Sequence, residues 1–490
     1  MKRITWKKHH KWFGIIFAFF MLMFCLSGIV LNHRELVADI NVGRDYLPDD
    51  YKYKDWNLGL LRGSVRCNDN NVFIYGNSGV WKTDSTGHSV SDFNKGLPEG
   101  ADFRNIKAMV QVPDGSLFVA GQFGLYRNDG KGWESTPLVL SAHERISDLV
   151  LKEDTMVVVG RSYLYTSVSP YNEFSRLELK TPEGYDGKVS LFRTVWLMHS
   201  GEMFGTVGKL IMDAVAVILI VLCLTGIAYW LLPKYIRRIR RRGKTAKGST
   251  QLMKSSINWH DKLGRYTFVI LMFVSFTGWC LRPPVLIALV SFRTSAIPYT
   301  VADSDNAWND RLRMLRYDAE YGDWLLSSSE GIFSLATLRS VPVKLEKTPP
   351  VSVMGLNVWQ KDSCGNWLTG SFSGMYVWDR SRQVSTDYFT GEKAEDVAGP
   401  PFGKYAVSGY CDNIGEKPFV VEYYKGTSAL YMPENLSSLP MSLWNFAQEI
   451  HTGRIYTILG QGTLIYIFFA GLAALWCIYT GFVIRRKKRE

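Results

Sequence analysis

Four long apolar runs alternate with two long polar regions along the 490-residue chain. The apolar runs are Phe13–Leu31, Leu210–Leu232, Tyr266–Leu281 with the stretch after Pro284, and Ile455–Ile484. About 20 apolar residues cross a bilayer core about 30 Å thick, so each run is long enough for a membrane-spanning helix. The first run is long and no small-residue cleavage site follows it. We therefore interpret it as a retained span and not as a signal peptide.

Both polar regions, about Arg34–Phe192 and Arg293–Trp444, predict short β-strands. Alternating apolar positions are interrupted there by Gly, Asn and Asp, which favour turns. A pattern of apolar residues, Gly, two further residues and a second Gly ends at Gly79 and Gly124, and a similar pattern recurs in the second region. Repeats of about 40–50 residues with four strands each are typical of β-propeller blades.

Each polar region has room for three or four such repeats, which is few for a closed ring. A propeller usually has about 4–8 blades, so we expect both regions together to form one composite, propeller-like, all-β body. A pair of irregular β-sandwiches is the alternative that the pattern leaves open.

The whole arrangement occurs twice in the chain. The segment HKWFGIIFAFFMLMFCLSG and the segment HDKLGRYTFVILMFVSFTG each begin with His, carry Gly four residues later and end in Ser-Gly or Thr-Gly. They begin at His10 and His260, 250 positions apart. His199-Ser-Gly and His451-Thr-Gly form a second match, with a further Gly nine residues after each His. The chain is therefore a tandem duplication, and each half has two hydrophobic segments headed by His.

These patterns predict a membrane protein with four transmembrane α-helices from a tandem two-helix duplication, and an extracytoplasmic all-β region. In order, the predicted segments are the cytoplasmic N-terminus and helix 1 (1–33), a β domain (34–192), helix 2 (193–233), a basic cytoplasmic loop (234–256), helix 3 (257–292), a second β domain (293–444), and helix 4 with a basic cytoplasmic tail (445–490).

The net charge of +12 is concentrated beside the spans. Basic clusters lie at residues 2–8, at Lys234–Lys247 and at Arg485–Arg489. If every run crosses once, all three clusters lie on one side of the membrane. The positive-inside rule then places both termini and the middle loop in the cytoplasm, and both polar regions outside. This distribution argues against a nucleic-acid partner.

Motifs for other cofactors are absent from the sequence. Its seven cysteines include no CxxC or CxxCH, so covalent attachment of c-type haem is excluded by motif. No Walker A loop, GxSxG, HExxH or dinucleotide-binding fingerprint occurs.

Asp213 lies inside the second apolar run, and an acidic residue within a span is by default a candidate for function. It is only about one turn inside the run, however, and Lys209 precedes it by four residues. Because residues at this spacing face each other on a helix, we predict an ion pair between them.

Histidine is the strongest chemical signal. Six of the eight histidines lie at ends of the apolar runs, namely His9, His10 and His260 at cytoplasmic ends and His33, His199 and His451 at outer ends. A single His at an interface is usually a solvated polar residue, but here the positions recur between halves with matched Gly neighbours. Imidazoles on facing helices are typical axial ligands of b-type haem, and Gly opposite them leaves room for the porphyrin. Zinc is less suitable, because no Cys, Asp or Glu accompanies these histidines at close spacing.

The four spans resemble the PepSY-associated transmembrane-helix family. The likeness rests on HKWFGIIFAFFMLMFCLSG, WLMHSGEMFGTVGKL, NWHDKLGRYTFVILMFVSFTG and IHTGRIYTILG. Members are described as iron-uptake proteins, and some as siderophore-iron reductases of the inner membrane. Outside the spans no clear PepSY module is found, and propeller-like repeats take its place.

Carried over position by position, the resemblance implies that haem iron is ligated by His10, His199, His260 and His451. Symmetry between the halves suggests two b-type haems, one held by His10 and His260 and the other by His199 and His451. His9 is an alternative to His10, and His33 is a spare ligand at the outer level. The resemblance also implies a multi-pass protein of the bacterial inner membrane, with cytoplasmic termini and periplasmic β domains.

The first functional hypothesis is therefore a haem-dependent ferric reductase. It would move electrons from the cytoplasmic side, or from a quinol, to an extracytoplasmic ferric or siderophore-iron substrate, and the β region would bind that substrate or a partner protein. The alternative is a membrane-anchored β-propeller sensor or binding protein without redox activity, although an anchor has no need of matched histidines. A transporter is a third hypothesis, but transporter repeats are commonly inverted and these halves insert the same way.

Overall fold

A computed structural model describes residues 3–352, 354–394, 403–460 and 462–486. The chain divides into two compact units. The membrane unit contains Met1–Val37, Gly187–Ser304 and Leu443–Glu490, and the β unit contains Ala38–Asp186 and Asp305–Ser442. Lys2 and Lys487–Arg489, which belong to the predicted basic clusters, lie outside the described residues.

The described part of the membrane unit is mainly helical. Its α-helices are α1 (Arg3–Asn32), α2 (Leu191–Ser200), α3 (Gly205–Arg241), α4 (Lys247–Tyr266), α5 (Phe268–Cys280), α6 (Val285–Val290), α7 (Leu443–Thr452) and α8 (Gly462–Arg486). Helix α1 packs against α3, α7 and α8, while α2 packs against α5 and α3 against α4. Two short strands, β14 (Lys188–Ser190) and β15 (Arg293–Ser295), pair antiparallel beside these helices.

Three helical segments in the described chain are long and apolar enough to cross a membrane: Ile4–Asn32, Glu202–Arg241 and Gly462–Ile484. The predicted third span differs, because α4 and α5 meet at a bend of 71°. At the bend, the Thr267 hydroxyl donates to the Leu263 carbonyl oxygen over 2.7 Å, an interaction that often bends helices. If the bent pair is counted as one span, the described chain has up to four.

The histidines predicted at the outer ends of spans two and four lie on separate short helices. His199 is on α2 and His451 is on α7. Gly201 follows α2 with φ of 78°, and Gly453 follows α7 with φ of 74°. Side chains with a Cβ rarely adopt this left-handed conformation, so a glycine at both positions lets the chain turn before the long helix begins.

The predicted ion pair between Lys209 and Asp213 is wrong. The Asp213 carboxylate instead accepts hydrogen bonds from Asn32 Nδ2 at 2.9 Å and from His33 Nε2 at 2.6 Å. Lys209 Nζ lies 3.6 Å from a carboxylate oxygen of Glu202. Local helical spacing predicted the pair, but partners from α1 and from the turn before α3 replace it.

The β unit is built of small antiparallel sheets. Three four-stranded sheets follow one another in its first segment: β2 (Gly63–Arg66), β3 (Val72–Gly76), β4 (Gly79–Thr83) and β5 (Val90–Asp92); β6 (Ile106–Gln111), β7 (Leu117–Gly121), β8 (Leu125–Asn128) and β9 (Trp133–Ser135); β10 (Asp148–Lys152), β11 (Thr155–Val159), β12 (Leu164–Val168) and β13 (Ser175–Leu177).

The second segment of the β unit repeats this organisation. Its sheets are β16 (Leu312–Asp318), β17 (Asp323–Ser328), β18 (Gly331–Leu335) and β19 (Val343–Lys344); β20 (Val358–Lys361), β21 (Trp367–Ser371), β22 (Gly374–Asp379) and β23 (Val384–Asp387); and the pair β24 (Val407–Cys411) and β25 (Phe419–Glu422). Near the ends of the unit, β1 (Asn41–Val42) pairs with β26 (Met441–Ser442).

The first strands of these sheets contact one another in a circle. Strand β2 contacts β6, β6 contacts β10, β10 contacts β16, β16 contacts β20, β20 contacts β24, and β24 contacts β2. The repeated sequence pattern corresponds to the second and third strands of a sheet, with Gly331 and Gly374 opening the third strand of their sheets. The arrangement is therefore propeller-like, and both polar regions of the sequence contribute to it.

Apolar clusters join the two segments of the β unit at both places where they meet. One cluster contains Val157 and Leu164 from the first segment and Trp308 and Trp324 from the second. At the other junction, Trp56 packs with residues of the last sheet, and its indole lies 5.9 Å from that of Trp81, centroid to centroid. Burial of such large side chains stabilises each junction by the hydrophobic effect.

A buried carboxylate joins the fourth and fifth sheets. Asp318 lies 2.8 Å from Lys361 Nζ and 2.8 Å from an Arg380 nitrogen, and it accepts a hydrogen bond from Trp367 Nε1 at 3.1 Å. Burial alone would raise the pKa of Asp318, but these donors outweigh it and hold the pKa below its usual value. Arg380 is in turn paired with Asp323 at 2.5 Å.

Replacing Asp318 should destabilise the β unit strongly. Asp318→Ala removes the buried carboxylate shared by two cations, of which Arg380 keeps Asp323 and Lys361 keeps only the exposed Glu320. Breaking a buried pair in this way costs at most about 3–5 kcal/mol of unfolding free energy. Because the folded pKa is lowered, the contribution is present above the ordinary pKa and is lost as pH falls through the folded value. Denaturant titration of the detergent-solubilised protein, followed by tryptophan fluorescence, measures both effects.

Asp114→Ala is the matched control, because Asp114 is about half exposed and lies 2.8 Å from Arg127. Solvent screens such a pair, so its removal should change the midpoint far less. Equal midpoints for the two variants would contradict the importance of the Asp318 network.

Candidate functional site

Four histidines of the membrane unit are each held in the same way by another helix. Nδ1 lies at hydrogen-bond distance from a helix carbonyl oxygen, a hydroxyl side chain follows three residues later, and a Gly follows after one more. The Nδ1-to-oxygen distances are 3.0 Å for His10 to Cys477, 3.1 Å for His260 to Leu222, 3.2 Å for His199 to Val274 and 3.0 Å for His451 to Phe24. In the same order, the following pairs are Thr480-Gly481, Thr225-Gly226, Thr277-Gly278 and Ser27-Gly28. We call each set of carbonyl, hydroxyl and glycine a histidine notch.

Glycine leaves the carbonyl of each notch open, and in two of the notches even a methyl group would be too close to the imidazole. The Cβ of a helical residue leans towards the helix N-terminus and covers the turn that precedes it. A side chain four residues after the carbonyl would therefore stand between that carbonyl and the imidazole. A Cβ added at Gly278 would lie 2.7 Å from His199 Cε1, and one at Gly481 would lie 2.9 Å from His10 Cε1. The space is less tight at Gly28 and Gly226, where the distances to Cε1 are 3.3 and 3.4 Å.

The notch also determines which imidazole nitrogen can bind a metal ion. A carbonyl oxygen can only accept a hydrogen bond, so Nδ1 must carry the proton and donate. In the neutral ring Nε2 then has the lone pair. The notch hydroxyls bond back to their own helix, as Ser27 Oγ does to the Met23 carbonyl oxygen at 2.6 Å, and are thus fixed in place. Metal-ligating histidines generally have their second nitrogen fixed by such a partner.

The notches bring the four imidazoles together as two pairs. The ring centroids of His10 and His260 are 5.9 Å apart, and those of His199 and His451 are 6.0 Å apart. Bonds from a metal ion to an imidazole nitrogen are about 2.0–2.1 Å long, so two imidazoles on opposite sides of one ion have ring centres about 6 Å apart. These are the two pairs that the symmetry of the sequence predicts, and their spacing fits one metal ion between each.

The other two histidines near the spans have different surroundings. The His9 ring lies 6.2 Å from that of Phe13 and 6.0 Å from that of Trp476, centroid to centroid. His33 uses its Nε2 for the bond to Asp213. Neither ring is therefore held as the four notched histidines are, and the roles of substitute and spare ligand stay predictions.

The contacts also place the start of α1 and the end of α8 at the same end of the membrane unit. His10, near the start of α1, lies in the notch near the end of α8, and it pairs with His260. His260 lies in the notch on α3 that precedes the arginine-rich end of that helix. The described parts of all three basic clusters thus belong to the end of the unit that carries the His10–His260 pair.

Sequence reasoning singled out the four histidines and the Ser27-Gly28 and Thr277-Gly278 pairs, but it did not connect these pairs with the histidines that they contact. The glycines four residues after His10 and His260 lie elsewhere: an added Cβ at Gly14 would lie 3.5 Å from Cys477 Sγ, and one at Gly264 would lie 3.7 Å from Leu222 Cδ2. These are ordinary packing contacts between helices. The notches of His260 and His10 were missed. Their signal was the Thr-Gly at 225–226 and 480–481, 255 positions apart in corresponding spans.

The donor set fits haem iron. Among the described residues, no group of three or more His, Cys, Asp or Glu side chains could hold a metal ion. Each pair offers two imidazoles about 6 Å apart, which suits an iron whose remaining ligands come from a macrocycle. At Gly278 and Gly481 an added methyl group would displace the imidazole, so glycine keeps the space for it there.

The β unit contains two small cavities. One has a volume of about 120 Å³ and is lined by residues that include Trp81, Asp92 and Arg104. The other has a volume of about 180 Å³ and lies beside Phe389 and Tyr405. Small-molecule sites usually measure about 300–1,000 Å³, so neither cavity has the size expected for a substrate as large as a ferric siderophore.

Comparison with protein families gives one match. The family described as the PepSY-associated TM region matches residues 128–488, which confirms the resemblance read from the spans. No curated protein matches the chain significantly.

Solved structures with some likeness to the chain are distant. The extracellular domain of a protein described as a hybrid two-component system from B. thetaiotaomicron is 9% identical, with a TM-score of 0.33, and the match covers 71% of this chain and 30% of that one. A structure described as a one-component system from the same organism is 10% identical, with the same TM-score of 0.33, and the match covers 74% of this chain and 37% of that one. YCF48 from Cyanidioschyzon merolae is 11% identical, with a TM-score of 0.33, and the match covers 75% of this chain and 80% of that one.

Replacing a notch glycine by alanine should destabilise the membrane unit more where the notch leaves less space for the added methyl group. Gly278→Ala places a methyl group 2.7 Å from His199, so the helix or the imidazole must move, at a typical overpacking cost of about 1–3 kcal/mol. We expect a lower melting temperature in detergent, measured by intrinsic fluorescence.

Gly226→Ala is the matched variant, because its methyl group would lie 3.4 Å from His260. Alanine is also favoured over glycine within a helix by about 1 kcal/mol, so this change should leave the melting temperature equal or higher. If both variants melt alike, the notch is not selective for glycine.

Proposed function

Because the chain belongs to the PepSY-associated TM family, we propose that it is a membrane b-type haem protein that transfers electrons across the bilayer to an extracytoplasmic ferric or siderophore-iron substrate. The observation that carries this proposal is the pairing of four notched imidazoles at 5.9 and 6.0 Å. An anchoring helix needs no such pair, and a structural histidine needs no glycine opposite it. A pair of notched histidines occurs near each end of α1. Two such sites favour a role in which an electron passes from one site to the other.

The proposed ligands are His10 and His260 for one haem and His199 and His451 for the other. In each pair, the chain keeps the proton on Nδ1, leaves the lone pair on Nε2 for the iron and holds both rings between helices. Haem bound there would supply an iron that accepts and releases one electron at a time. The surrounding apolar side chains, among them Val215, Leu219 and Leu271, exclude water from the bundle.

The proposed topology has four spans in the bacterial inner membrane, with α4 and α5 acting together as the third. The described parts of the basic clusters lie at one end of the membrane unit, and the positive-inside rule makes that end cytoplasmic. Both termini would then be cytoplasmic, and both segments of the β unit periplasmic. An electron would enter at the His10–His260 pair and leave from the His199–His451 pair.

The β unit would bind the ferric substrate or a partner protein, and a quinol or a cytoplasmic reductant would supply the electron. The second candidate function is a membrane-anchored β-propeller sensor or binding protein. The propeller-like ring of sheets favours it, since that ring could act without redox chemistry. Haem content separates the two functions, because an anchor binds none.

Two haems per chain are expected in the purified protein, measured as the pyridine haemochrome against protein concentration. His199→Ala or His451→Ala should remove one of them and leave the other, since the pairs are separate. His10→Ala or His260→Ala should remove the other one. His88→Ala, an exposed histidine of the β unit, is the control and should keep both. A protein without haem, or full haem in all four notch-histidine variants, would disprove the proposal.

Reporter fusions test the topology. A reporter active only in the cytoplasm should work after Glu490 and should fail at Ser135, an exposed residue of the β unit. The reason is that the basic clusters keep their end of the membrane unit in the cytoplasm. A periplasmic reporter at the same two positions should give the opposite result. Cytoplasmic activity at Ser135 would reverse the direction of the proposed electron transfer.

A further inference from the structure

A single arginine accompanies the His199–His451 pair. Arg282 follows α5 by two residues, just before Pro283-Pro284, and its side chain is half-buried. Its Nη2 donates a hydrogen bond of 2.6 Å to the main-chain carbonyl oxygen of His451. The charge of Arg282 acts on both imidazoles of the pair. Arg282 therefore contacts the backbone of His451, and it is near enough for its charge to act on the imidazoles of both proposed ligands.

No carboxylate neutralises Arg282 among the described residues. Its one side-chain hydrogen bond there is to the uncharged His451 carbonyl. The neighbouring Arg454 differs, because it pairs with Glu449 at 2.5 Å and is about half exposed. Leaving a cation in an apolar bundle without a counter-ion is costly, so a position of this kind is a candidate for function.

We propose that Arg282 is a positioning residue that holds His451 and, as an uncompensated cation, raises the reduction potential of the haem bound by His199 and His451. This inference rests on the proposed function. Reduction of ferric to ferrous iron adds one electron and lowers the charge of the site by one unit. A nearby positive charge therefore favours the reduced state, and the effect is strong where little water screens it.

The direction of the effect supports outward electron transfer. A higher potential at the His199–His451 pair draws an electron towards it from the haem of the His10–His260 pair. No proton transfer is required, because the charge of Arg282 is permanent at physiological pH. The bond to the His451 carbonyl adds a second role, since it fixes the end of the short helix α7 that carries the ligand.

Redox titration of the purified, haem-loaded protein, followed by visible absorption, tests the proposal. The haem that is absent in His451→Ala identifies the transition of the His199–His451 pair. Arg282→Gln keeps a donor for the carbonyl but removes the charge, and it should lower that transition by at least a tenfold change in the reduction equilibrium, about 59 mV for one electron. Arg282→Lys keeps the charge and should retain most of the potential.

Arg454→Gln is the matched control, since it removes an equal charge that Glu449 already balances. It should shift the same transition by less than half as much.

Electron paramagnetic resonance of the ferric state in Arg282→Met should additionally show an altered signal for this haem alone, because His451 loses its support. Two bound haems with unchanged potentials in Arg282→Gln would overturn the inference and leave the proposed function standing. Absence of haem from the parent protein would overturn both.

Discussion

The membrane unit depends on one hydrogen bond, from imidazole Nδ1 to a helix carbonyl that a glycine leaves uncovered. That carbonyl already accepts within its own helix, and its second lone pair becomes reachable only where the residue four positions later has no Cβ. The bond determines the tautomer, the direction of Nε2 and the distance between two helices at once. At Gly278 and Gly481 an added methyl group would lie within 3 Å of the imidazole and would force these three properties to change.

The length of α1 relates the two histidine pairs to the thickness of a bilayer. His10 belongs to one pair and Gly28 to the notch of the other, and 18 residues at about 1.5 Å each extend about 27 Å along a helix. The hydrocarbon core measures about 30 Å, so the two pairs are separated along α1 by nearly the thickness of that core. The β unit is stabilised differently, by apolar junctions between sheets and by buried ion pairs such as Asp318 with Arg380.

Periodicity and repetition predicted much of this structure, and the failures have physical causes. The apolar runs located the long helices, and the Gly-punctuated repeats located the central hairpins of the sheets. Composition could not reveal the bend at Thr267, because a bent and a straight helix bury similar side chains. Asp213 was assigned a local partner, whereas His33 reaches it from the turn after α1. Two notches were missed because the sequence does not show which histidine of another helix a Thr-Gly pair contacts.

Each of the four notched histidines lies in a notch belonging to the other half of the duplication. His10 and His199 from the first half are held by α8 and α5, whereas His260 and His451 from the second half are held by α3 and α1. Such reciprocal contacts are those of an isologous dimer, in which one surface is complementary to itself. A single ancestral half could thus have formed both sites by pairing with its own copy. Once the two copies were fused, the halves no longer had to find each other by association, and each could change independently. The second half therefore can carry Arg282 beside the His199–His451 pair while the first half has no corresponding arginine.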